Sequence, residues 1–137
     1  MTCTFFGHRD TPKEKELPLR KALTYLIENE GVDTFYVGNN GSFDTIARNT
    51  LLELTRLYPI QVYIVLSAIP KVSCDYIDLT LIPDGIETVP PRFAIYYRNR
   101  WMVNHSDYVV TAVSRPFGGA AKFKEYAKKQ NKNIIEL

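Results

Sequence analysis

Hydrophobic positions along the chain follow two alternating rhythms. Short, β-prone apolar runs fall at residues 2–6, 34–37, 61–66, 108–113 and 133–137. Between them lie longer segments whose apolar residues recur three and four apart, the period of an amphipathic helix. Leu19, Ala22, Leu23, Leu26 and Ile27 form one such stripe, in a helix expected to start at Lys15 or Pro18, run to Glu30 and stop at Gly31. Ala47, Leu51, Leu54 and Tyr58 form a second, in a helix expected from Ser42 or Asp44 to Tyr58, with Ser42 as its N-cap and Pro59 as its end. A third helix carries Arg98, and a fourth is expected from about Gly119 to Gln130. A short strand over 76–80 and a turn at Pro83-Asp84-Gly85 fill the irregular stretch between. Run 61–66 shows no clean alternation, which suits a central strand covered on both faces. Strands and helices alternate throughout, so the expected fold is α/β, a three-layer Rossmann-like domain with a mainly parallel sheet over residues 1–137.

The third helix has an anomaly. With Arg98 at zero on a helical wheel, Ala94, Ile95, Trp101 and Met102 all fall within about 60° of it. A guanidinium is thus expected on the apolar stripe, where it needs a partner, because an unpaired buried charge costs several kcal/mol. The partner is either an internal carboxylate or a bound anion.

Three glycine-bearing turns are expected at the carboxyl ends of strands, the edge where open parallel sheets bind ligands. They are Gly7-His8-Arg9, the segment from Gly38 through Asn39, Asn40 and Gly41 to Asp44, and the segment from Arg115 through Pro116, Phe117, Gly118, Gly119 and Ala120 to Lys122. Two of them lead into helix N-termini, whose free N–H groups favour anions. A phosphate or a phosphorylated sugar suits that combination. Neither a P-loop nor an intact dinucleotide-binding glycine pattern is present, which disfavours ATP hydrolysis and NAD chemistry.

Composition changes this picture little. Apolar residues make up 45% of the 137, as in a globular protein, and the net charge of +2 provides no broad nucleic-acid footprint. Cys3 and Cys74 match no metal spacing, no cofactor is expected, and no apolar run approaches the roughly 20 residues of a membrane span. A cytoplasmic location without a leader segment is the expectation. Phe93, Tyr96, Tyr97 and Trp101 give the Arg98 helix more than one aromatic face, which points to a homodimer or larger homo-oligomer.

Phe6-Gly7-His8-Arg9 resembles the Thr-Gly-His-Arg start of small bacterial and phage members of the SLOG superfamily, Rossmann-like nucleotide-binding domains that include the LOG and DprA proteins. The segment Gly38 to Asp44 is similar to that superfamily's second glycine loop. LOG enzymes carry Arg-Lys-x-x-Met, an Asp-headed strand and Pro-Gly-Gly-x-Gly-Thr-x-x-Glu. Arg98 and Met102, Asp107, Gly118-Gly119 and Glu125 stand at the matching positions. The chain departs from the pattern at Phe117, inserted between Pro116 and Gly118, at Ala121 for the third glycine and at Lys122 for the threonine. The resemblance implies a nucleotide or nucleotide-derived signalling ligand, held by a sensor or sponge-like module. Its alternative implication is a phosphoribohydrolase that cleaves the N-glycosidic bond of a nucleoside monophosphate, with Arg98 and Glu125 catalytic. Glu125 reads equally as a surface partner of Lys128 or Lys129.

Overall fold

The computed structural model of the protein describes residues 1–69 and 79–137. Cys74 and residues 76–78 of the expected short strand lie outside them. Six strands form one wholly parallel sheet in the order β4-β3-β2-β1-β5-β6, where β1 is Thr2–Gly7, β2 Thr34–Val37, β3 Gln61–Val65, β4 Thr80–Leu81, β5 Tyr108–Ala112 and β6 Asn133–Glu136. The helices are α1 (Glu16–Asn29), α2 (Ser42–Leu54), α3 (Ala94–Asn104) and α4 (Gly119–Lys129).

Side chains alternate across β1, and the two cores follow from that period of two. Phe5 faces the core packed by Leu19, Leu23 and Leu26 of α1 and Ala47, Leu51 and Leu54 of α2. Phe6 faces the other core, with Met102 and Val103 of α3 and Phe123 and Ala127 of α4. The chain builds outward from β1 to β4, then returns to lay β5 against the free side of β1. Helices leaving β1 and β5 therefore cover opposite faces, and a crevice opens beyond the ends of those two strands.

Several expected boundaries shift for local reasons. Helix α2 ends at Leu54 rather than Tyr58, because Arg56 and Leu57 donate to the carbonyls three residues back in a tighter turn. Gly41, not Ser42, is its N-cap; Ser42 is the first helical residue and its hydroxyl donates to Thr11 O at 2.6 Å. Strand β3 is second from an edge, paired outward only with the two-residue β4, so Gln61 is exposed and Tyr63 half-buried. Helix α3 buries Ala94, Arg98, Met102 and Val103 and leaves Ile95 exposed, so the apolar stripe is narrower than the wheel suggests.

Two contacts tie the end of β1 to its neighbours at the crevice. The space beside Gly7 is filled by α2: a Cβ there would lie 2.3 Å from the Phe43 ring. His8, 8% exposed, ties β1 to β5, since its Nε2 accepts the backbone N–H groups of Ser114 at 3.1 Å and Arg115 at 3.2 Å. That arrangement requires a neutral ring with its proton on Nδ1. Burial first, and then nearby Arg115, push the His8 pKa below its ordinary value, while Asp10 opposes them.

Gly7→Ala should destabilise the fold by about 1–3 kcal/mol through overpacking against Phe43, measured by chemical denaturation. The same measurement across pH should expose His8. Its native pKa lies below the unfolded value, so its stabilising link is fully present above about pH 6.5 and is lost as pH falls below that value. In His8→Gln, whose amide oxygen can accept the same N–H groups without titrating, that component of acid sensitivity should vanish.

Candidate functional site

A cavity of about 530 Å³ occupies the crevice beyond β1 and β5, a volume ordinary for a small-molecule site. All three glycine turns reach it, contributing Gly7, His8 and Arg9, then Asn40 and Asp44, then Arg115, Phe117, Gly118, Gly119 and Ala120. Helix α3 supplies Ile95, Arg98, Asn99 and Met102.

Arg98 lies in the cavity wall and is only 2% exposed. Neutral amides hold it. Nη1 donates to Asn39 Oδ1 at 2.7 Å, and Nε and Nη2 both donate to Asn99 Oδ1, at 3.2 and 3.0 Å. With its oxygen turned to the donors, the Asn40 amide accepts from Nη2 at 3.3 Å. No carboxylate among the described residues lies within ion-pair distance of the guanidinium. Burial lowers the pKa of Arg98 and the charge of Asp44 raises it, but an arginine so placed stays cationic.

Asp44, half-buried in the first turn of α2, accepts the Asn40 N–H at 2.9 Å. Its carboxylate occupies the space a side chain on Gly38 would need, 2.8 Å from that missing Cβ, with Arg98 Cζ 3.4 Å from the same point. Burial raises the Asp44 pKa to about 6, against the lowering effects of the Asn40 N–H, Arg98 and Arg48.

The two glycine-led helices differ. Both N-caps, Gly41 and Gly118, have φ of 94°, a left-handed region that favours glycine. At α2 the ends are occupied from within: Ser42 N–H donates to Arg9 O at 2.9 Å, and the Arg9 backbone stands where a Gly41 side chain would be. At α4 no side chain caps the helix, and a Cβ on Gly118 or Gly119 would meet nothing within 4 Å. Gly119 has ordinary φ, so neither conformation nor packing inside the chain requires a glycine there.

Four of the anticipated ligand-binding residues stand behind the wall rather than in it. Gly38 makes room for Asp44, Asn39 anchors Arg98, and Gly41 seats the Arg9 backbone. Lys122 turns away, with Nζ 4.5 Å from the centre of the Tyr96 ring. Arg115 lines the cavity but is already engaged twice by Asp10, at 2.9 and 2.7 Å. It holds the Asp10 carboxyl down to about 2. Ala121, in place of the third glycine, lines a separate depression with Lys124 and Glu125 and leaves the main cavity clear. Glu125 is exposed, does not line the main cavity, and pairs with Lys128 at 3.6 Å.

Sequence reasoning passed over Asn99 and Phe117. Spacing gave no signal for Asn99, whose side-chain oxygen turns back to accept from the guanidinium of the preceding residue, Arg98. Phe117 was visible as an insertion in the glycine turn.

No family profile matches the sequence, and no curated protein matches it. The fold is similar to that of DNA processing protein A (DprA) from Streptococcus pneumoniae, with a TM-score of 0.74 and 19% sequence identity. The match covers 98% of this chain and 49% of that one, so the chain spans about half the length of DprA. The architecture is therefore DprA-like, a Rossmann-like α/β fold.

Proposed function

We propose that the cavity binds a nucleotide or nucleotide-derived signalling ligand, and that the protein acts as a binding module, a sensor or a sponge. The observation that carries this reading is the pairing of Arg98 with the uncapped start of α4 on one cavity. Arg98 gives a buried positive charge that neutral amides orient without cancelling. Helix α4 gives free N–H groups behind two glycines that leave open space. Both favour a phosphate. The DprA-like architecture is in keeping with the resemblance to nucleotide-binding Rossmann-like domains.

A phosphoribohydrolase would need a carboxylate facing the positive charge that develops at the sugar. Arg98 is at hand for that chemistry, but Glu125 is paired with Lys128 off the cavity, and Asp44, the carboxylate that does line it, accepts the Asn40 N–H in the turn beside Arg98. The binding module is therefore the reading the geometry supports better.

Native mass spectrometry of freshly purified protein should detect a retained nucleotide, and incubation with AMP should release no free base by chromatography. Gly119→Ala should leave denaturation midpoints within about 0.5 kcal/mol of the parent. It should weaken nucleotide binding at least tenfold, because the new methyl stands where the ligand approaches. Normal affinity in that variant would remove the phosphate from α4.

Asp44 adds a pH signature. Its carboxylate opposes an anionic ligand above about pH 6 and does so less as it protonates below. At pH 8, Asp44→Asn should bind nucleotide roughly tenfold tighter than the parent, the equivalent of one unit of further pKa rise on binding. The gap should close as pH is lowered through about 6. Because phosphate monoesters titrate in the same range, the difference between the two proteins is the quantity to measure.

A further inference from the structure

Resting on the nucleotide reading, we infer that Phe117 is the stacking platform for the ligand's base and makes the site select nucleotides over simpler phosphates.

Phe117 is 67% exposed, among the most exposed large apolar side chains of the described residues, yet it lines the cavity. Exposure of a whole phenyl ring is unfavourable unless something covers it. It directly precedes Gly118 and Gly119, so ring and helix N-terminus flank the same volume. A phosphate against the α4 N–H groups would therefore leave the rest of its molecule within reach of the ring. Ile95 of α3, 41% exposed, lines the same cavity and adds apolar surface. Apart from the exposed Arg9, the cationic and imidazole side chains there are committed to protein groups: Arg98 to amides, Arg115 to Asp10, His8 to the backbone N–H groups after β5. Base selection by hydrogen bonding thus has few free groups, whereas stacking needs only a flat π-face. Tolerance among bases is the expected consequence.

Calorimetric titration should compare ribose 5-phosphate with AMP, GMP, CMP and UMP on the parent chain, Phe117→Ala and Phe117→Trp. In the parent, nucleotides should bind more tightly than ribose 5-phosphate. Phe117→Ala should cost nucleotides roughly tenfold in affinity and leave ribose 5-phosphate unchanged. Phe117→Trp should restore nucleotide affinity, with new fluorescence that nucleotides quench and ribose 5-phosphate does not. Equal affinity for ribose 5-phosphate and every nucleotide, unaltered in Phe117→Ala, would overturn the inference and leave the phosphate site standing. Binding of none of these compounds would overturn the nucleotide reading and the inference together. Loss of self-association in Phe117→Ala, seen by light scattering with unchanged affinities, would reassign the ring to a subunit contact.

Discussion

The buried charge of Arg98 is the constraint on which the site depends. A guanidinium taken out of water normally needs an ion-paired carboxylate. Here Asn39 and Asn99 satisfy its N–H groups with neutral oxygens. Hydrogen bonding is thereby met while the charge itself is not neutralised at contact distance. Asp44 is close enough to feel Arg98 but does not cancel it. Its pKa is raised to about 6, so desolvation outweighs the attraction of the guanidinium. A tightly paired carboxylate would instead have moved down. The result is a buried guanidinium in the wall of a cavity, held by neutral amides rather than by a contacting carboxylate.

The glycines divide by cause. Gly7, Gly38 and Gly41 are excluded from bearing a side chain by Phe43, Asp44 and the Arg9 backbone. They shape the crevice from behind. At Gly118 the backbone conformation calls for glycine, and Gly119 has no such internal cause. Two glycine-led turns that look alike in sequence thus do different work: one is closed by the protein's own atoms, the other is open. Ala121, in place of the third glycine, lines a separate depression and stays out of the main cavity.

The fold was legible because periodicity and turn residues agree along nearly the whole chain. The parallel order followed from strand–helix alternation, and the burial of Arg98 followed from its place between Ala94 and Met102. What stayed hidden were links between residues far apart in sequence, such as His8 with Ser114 and Arg115, and Asp10 with Arg115. No local pattern encodes them. Glu125 is a different case. Phe123 and Ala127 mark the buried stripe of α4, and Glu125 lies roughly 160° from Phe123 on the helical wheel. Periodicity alone therefore placed it away from the core, where motif spacing had set it in the site.

Two protonation equilibria meet in this crevice and oppose one another. His8 must be neutral to accept the Ser114 and Arg115 N–H groups, so acid weakens the link between β1 and β5. Asp44 has a native pKa raised above its unfolded value, so acid relieves a cost of burial, from about pH 6 downward. As pH falls through about 6 the first effect lowers stability and the second raises it. The two also act at different places: His8 links β1 to the turn after β5, and Asp44 stands beside Arg98 in the cavity wall. In their contribution to stability the two equilibria therefore pull in opposite directions as the solution is acidified.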